Sequence, residues 1–131
     1  MSKNTNRNPI EHVNLTVADP TAMAERLVRL FDWHIRWQGA SPAGGFVVHV
    51  GSDSSYLALY RPPGSLAETD SGSSMTRRGF NHLGVVVSDL DQVEQRVREE
   101  GLQPYGHEDY DPGRRFYFMD AEGIEFEVVS Y

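Results

Sequence analysis

Ile10-Glu11-His12-Val13-Asn14-Leu15-Thr16-Val17-Ala18-Asp19 is written a second time, seventy positions on, as Phe80-Asn81-His82-Leu83-Gly84-Val85-Val86-Val87-Ser88-Asp89. The likeness runs on, with Met23, Glu25, Arg26 and Leu27 opposite Val93, Gln95, Arg96 and Val97. Repetition on this scale means two copies of one supersecondary unit, neither able to bury its apolar face alone. In the first copy Val13, Leu15 and Val17 alternate with His12, Asn14 and Thr16, the period of a half-buried strand. Asp19-Pro20 then reads as an N-cap with proline at the first helical position, and Met23, Leu27, Leu30 and Phe31 follow at helical spacing.

Three further strands are expected near Ile35–Ala40, Gly45–Gly51 and Ser55–Arg61. The second copy repeats the order: a strand over Asn81–Ser88, a helix from Leu90 to Glu100 closed by Gly101, and strands near Leu102–Gly106, Arg114–Met119 and Gly123–Ser130. Pro62 to Gly79, rich in Pro, Gly, Ser and Thr, reads as a linker. The expected fold is α+β: two βαβββ modules (about 9–62 and 80–131, linker about 62–79) in one domain over 9–131. Each helix covers one sheet face, and the opposite faces are left to form a shared, cup-shaped mixed sheet.

Composition narrows the partners. A chain of 131 residues is long enough for one real core. A net charge of −7 argues against nucleic acid or an anionic membrane as partner. The absence of cysteine removes thiolate chemistry, zinc–thiolate sites and disulfides together. No long apolar run or secretory segment is present, which predicts a cytoplasmic protein acting on a small molecule.

Strand alternation sends His12 and His82 to the cup face, and likewise Glu125 and Glu127 of the last strand, since Ile124, Phe126 and Val128 take the helix side. Two imidazoles and one carboxylate form a facial triad with open positions, a donor set suited to Fe(II), Mn(II) and related divalent ions. The bland alternative is a pair of polar residues lining a wet cavity. His49 reads as a hydrogen-bonded strand histidine, Tyr117 as cup-wall packing or a functional hydroxyl, and His107, Glu108, Asp109 and Asp111 as a polar loop. Arg114 and Arg115 can pair with these acids or with Glu122, or receive a carboxylated substrate.

The paired strand–helix–three-strand modules resemble the vicinal oxygen chelate superfamily, which includes glyoxalases, bleomycin- and fosfomycin-resistance proteins and extradiol dioxygenases. The likeness runs from Ile10 to Tyr131 and is carried by His12-Val13-Asn14-Leu15-Thr16-Val17-Ala18-Asp19, by Asn81-His82-Leu83-Gly84-Val85, and by the closing Phe116-Tyr117-Phe118-Met119-Asp120-Ala121-Glu122-Gly123-Ile124-Glu125-Phe126-Glu127. The resemblance implies a homodimer and a metal held by His12, His82 and Glu127, the Glu four residues after the turn glycine. Four-ligand relatives take a fourth donor from the first module, where this chain has Ala58.

Two three-ligand subfamilies then compete. Extradiol dioxygenases, which this chain resembles at Gly123-Ile124-Glu125-Phe126-Glu127, imply Fe(II), with Tyr117 bonding the substrate, His107 supporting it and Asp111 beside it. Their catalytic histidine of the first half is matched by Ser55, with His49 nearby. Fosfomycin-modifying transferases imply the same His, His and Glu set with a tyrosine at the Tyr117 position, but their first-strand threonine is Asn14 here. The reading is a metal-dependent enzyme on a small aromatic or vicinal-oxygen substrate, with extradiol ring cleavage leading and Asn14, His49, Ser55 and Asp111 as substrate contacts. The alternatives are a metal-free, ligand-sequestering protein like the bleomycin-resistance relatives, or a glyoxalase- or fosfomycin-type lyase or transferase.

Overall fold

In a computed structural model, residues 8–68, 75, 77–110 and 113–131 are described. The chain runs β1 (His12–Thr16), α1 (Pro20–Phe31), β2 (His34–Ala40), β3 (Phe46–Gly51), β4 (Tyr56–Arg61), then β5 (Leu83–Val86), α2 (Leu90–Glu99), β6 (Tyr105–Tyr110), β7 (Gly113–Met119) and β8 (Glu125–Ser130). These are two βαβββ modules of identical topology, with sheet orders β1-β4-β3-β2 and β5-β8-β7-β6. Residues 69–74 and 76 of the expected linker lie outside the described residues. No helix among the described residues is long and apolar enough to cross a membrane.

The repeated Asp does the same work in both modules. Asp19 accepts a hydrogen bond from the Ala22 amide and Asp89 from the Gln92 amide, each at 3.0 Å. Such a cap is worth about 1 kcal/mol. Helix α2 ends in a Schellman turn, the Leu102 amide reaching the Val97 carbonyl at 3.1 Å with Gly101 at φ +78°. Each helix lies on its own sheet and the two helices touch. Met23, Leu27 and Leu30 of α1 and Val93 and Val97 of α2 meet the inward faces of β3, β4, β7 and β8 in one core. Phe31 ties the halves, its ring 6.3 Å from Phe118 and 6.1 Å from Phe126. One face of each sheet is left without a helix.

The second strand of each module carries an extra residue. In β2 the register against β3 shifts between Ile35 and Trp37; in β6 the register against β7 shifts between Tyr105 and Glu108. Strand β6 also lies further along the chain than expected, so the acidic run His107–Asp109, read as loop, is an exposed edge strand. Charged residues suit that place, since they discourage edge-to-edge pairing.

Polar ties join the modules. Arg26 of α1 forks onto the Asp120 carboxylate at 2.9 and 3.2 Å, and the Asp120 side chain is fully buried. Its repeat-mate Arg96 reaches the other way, to Asp32 at 3.0 Å and the Leu30 carbonyl at 3.4 Å. Arg29 forks onto Glu100, and the Glu122 carboxylate accepts from the Ala18 and Asp19 amides, all at 2.8 Å. Removing one partner of a buried pair strands the other, so Asp120→Ala is expected to cost about 3–5 kcal/mol in urea unfolding. Arg98→Ala, which breaks an exposed i,i+4 pair with Glu94, should cost about 0.5 kcal/mol or less. Equal losses from the two variants would contradict this ordering.

Candidate functional site

The register fixes what each module presents on its helix-free face. Asn14 stands opposite Ala58 in β1–β4, and Gly84 opposite Glu127 in β5–β8, so Ala58 and Glu127 hold the same place in the two copies. Across the next ladder His49 faces Ala58 while Tyr117 faces Glu127.

On the second module His82 and Glu127 meet. His82 Nε2 stands 3.0 Å from Glu127 Oε1, and Nδ1 stands 2.7 Å from Asn81 Oδ1. The ring is thus held from both sides, by the Glu127 carboxylate at Nε2 and by the Asn81 side-chain amide at Nδ1. Adjacent ligands about 2.1 Å from a divalent ion stand about 3 Å apart, so these two donors fit one without moving. The other carboxylate oxygen, Oε2, accepts from Arg115 Nη1 at 2.7 Å, with both side chains 13% exposed. Tyr117 meets His82 edge-on at 5.8 Å; burial, then Glu127 and Glu108, push its hydroxyl pKa up.

His12 keeps the same local device in the other module. Its Nδ1 stands 3.0 Å from Glu11 Oε1, the carboxylate of the residue before it, as His82 stands to Asn81. A metal-binding histidine is ordinarily held this way through its second nitrogen. Within one chain, however, His12 does not join His82 and Glu127: among the described residues no three His, Asp or Glu side chains form a group able to hold a metal ion. His12 instead stacks on Tyr56 at 5.0 Å and lines a cleft of about 530 Å³, with Ser55 and Tyr56, between the edges of β1 and β5. His49 lies against Tyr56 at 4.6 Å, and burial, followed by His12 and Arg36, lowers its pKa.

A sequence profile of the Glyoxalase/Bleomycin resistance protein/Dioxygenase superfamily matches residues 9–128. The chain belongs to that superfamily. A search of curated proteins finds none that matches. Among solved structures, a glyoxylase/bleomycin resistance protein/dioxygenase domain from Frankia sp. EAN1pec is 23% identical with TM-score 0.77, over 95% of this chain and 98% of that one. The fosfomycin resistance protein FosX of Listeria monocytogenes, in complex with Mn(II) and sulfate, is 16% identical with TM-score 0.69, over 95% and 93%. TnmS3, an antibiotic binding protein of Streptomyces sp. CB03234, is 18% identical with TM-score 0.70, over 97% and 98%. At these identities the structures share a fold with this chain, and their ligands are their own.

The superfamily fold does not bring every expected residue to one face. His107 lies on the helix side of its sheet, stacked on Phe116 at 5.9 Å with Nε2 3.0 Å from Glu94 of α2. The extra residue in β6 is the cause: beyond it the alternation inverts, and Glu108, opposite Arg115, takes the helix-free face. Asp111 lies outside the described residues. Of the two arginines whose partners the sequence leaves open, Arg114 bonds Asp91 and Arg115 bonds Glu127. Arg115 was findable, since it precedes Tyr117 by two on β7 and so shares its face.

A second hydroxyl sits on this face. Tyr105 stacks on Tyr117 at 6.3 Å and donates to Glu125 Oε2 at 2.5 Å. Burial, then that bond and the Glu125 charge, pushes its pKa up to about 12. The folded state therefore holds this proton more tightly than the unfolded chain, a stabilisation complete below the ordinary tyrosine pKa near 10 and lost as pH rises toward about 12. In a tyrosinate absorbance titration, Tyr105→Phe should remove an ionisation from the most alkaline step; loss of a step near pH 10 would refute the assignment.

Proposed function

We propose that the chain is a metal-dependent enzyme acting on a small aromatic substrate that offers two adjacent oxygens, of the extradiol ring-cleavage type, with His12, His82 and Glu127 as metal ligands. The observation that carries this is the His82–Glu127 pair at 3.0 Å, the separation of two neighbouring ligands on one divalent ion. Fe(II) is the favoured ion for oxygen chemistry and Mn(II) the next. His12, with the same Nδ1 anchor on the other module, is the third donor, supplied in a homodimer by module one of one copy facing module two of the other.

His12, His82 and Glu127 would hold the divalent ion, which would supply Lewis-acid activation of the adjacent substrate oxygens and, as Fe(II), redox chemistry toward O₂. The chain's own residues do the rest. Arg115 occupies Glu127 Oε2, so the carboxylate presents Oε1 alone and other positions stay open. Tyr117, held protonated at neutral pH, donates its hydroxyl hydrogen to a substrate oxygen. His49, whose lowered pKa keeps it neutral, and Asn14 offer hydrogen bonds from the His12 side. Ser55 beside His12 is too weakly basic to take a substrate proton, and His107, turned toward α2, takes no part. That shortage favours one second reading, a ligand-binding protein without turnover.

Metal affinity tests the ligand set. Glu127→Ala and His82→Ala should each weaken Mn(II) or Fe(II) binding by more than about a hundredfold, and Arg115→Met by about ten- to a hundredfold. Full metal occupancy in Glu127→Ala would sink the assignment. Co-expressing His12→Ala with Glu127→Ala should restore one intact site per mixed dimer, whereas a site within one chain would stay dead in every mixture. Reconstituted Fe(II) protein should consume O₂ with a catechol; tight catechol binding with no uptake across a broad diol panel would select the binding-protein reading.

A further inference from the structure

The four strands of the first sheet contain no acidic residue, while those of the second carry Glu108, Asp109, Glu125 and Glu127. In a chain with 19 acids and 12 Lys and Arg, that exclusion is a property of the sheet and not of the composition. On its helix-free face, Arg36 has no carboxylate partner among the described residues. It gives one 3.3 Å bond to the Ser52 carbonyl and lies 4.4 Å over the Tyr56 ring.

The extra residue in β2 explains why it is there. Ile35 pairs with Val50 and Trp37 with His49, so Arg36 is the residue inserted between them, and it shares the Trp37 face. Trp37 lies flat. A Cβ on Gly39 would come within 2.9 Å of its indole Cζ2, so the bare glycine lets the ring settle on the strand. One edge rests against His49, with centroids 5.2 Å apart, yet the residue remains 51% exposed. The result is an exposed indole at the end of a row of rings that continues through His49 and Tyr56 to His12, with the Arg36 guanidinium lying over Tyr56 in that row.

We infer that this face is a recognition site for flat aromatic acids, the ring stacked on Trp37 and the carboxylate paired with Arg36. Neutral aromatics would gain the stack alone, and aliphatic acids the ion pair alone. The unpaired charge and the sheet cleared of acids are what commit the occupant to an anion. The inference rests on reading the helix-free faces as ligand faces, and it needs no metal.

The test uses the full chain in chelator, titrated with 2-naphthoate and with neutral 2-naphthamide by calorimetry. The acid should bind about tenfold or more tightly than the amide. Arg36→Gln should erase that preference while leaving amide binding within about twofold, and Trp37→Leu should weaken both ligands by about tenfold. Gly39→Ala, which displaces the indole without touching its chemistry, should weaken both ligands too, with circular dichroism confirming the fold. Equal binding of acid and amide by the unsubstituted protein overturns the inference. So does an Arg36→Gln variant that keeps the preference, or a Trp37 already screened from acrylamide by a second copy before ligand is added. Naphthoate discrimination in a protein that never takes up metal would refute the metal reading and leave this one standing; metal uptake without discrimination would do the reverse.

Discussion

One ion pair between the modules sets where everything else sits. Arg26 leaves α1 of the first module to meet Asp120, whose side chain is fully buried at the turn between β7 and β8. The same carboxylate accepts from the Glu122 amide, and the turn is closed by Asp120–Ile124 and Gly123–Asp120 backbone bonds of 2.9 and 2.8 Å. A buried carboxylate is tolerable only with every lone pair engaged, so the network is near all-or-none. Because β8 starts just beyond that turn, a contact made by module one fixes the strand that carries Glu127. The two halves are therefore not beads on a string but a single mechanical unit.

The repeat made the architecture readable. A doubled His, a doubled capping Asp and a doubled helical stripe predict two equal modules, and the sheet orders are indeed equal. The doubled Arg26 and Arg96 also had a reason that sequence did not reveal: each crosses to the other module. Side-chain alternation sends His12, His82 and Glu127 to helix-free faces, and the ladders of β1, β5 and β8 run without interruption. It has no purchase on His107, read as loop, where one added residue in β6 inverts the pattern and nothing in Tyr105-Gly106-His107 announces a bulge beyond a glycine. Period-two reasoning is only as good as the regularity of the ladder it is applied to.

The modules are alike in topology and unlike in what they present. Where the second has Glu127 against Tyr117, the first has Ala58 against His49. Without a carboxylate at that place, module one presents rings: Trp37, His49, Tyr56 and His12 in contact. One copy of the unit presents a His–Glu pair and the other a row of aromatic and imidazole rings. Duplication allows such a division because the shared core lies on the helix side, out of reach of substitutions on the outer faces.

The unequal distribution of acids over the two sheets has a consequence for encounter as well as for binding. With no acid in the strands of the first sheet and Glu108, Glu125 and Glu127 on the second, the two helix-free faces present unlike charge patterns, so a small anion is steered toward one and away from the other. That steering reaches only about 8 Å at physiological ionic strength, so salt would slow the arrival of a charged ligand far more than it would loosen one already in contact.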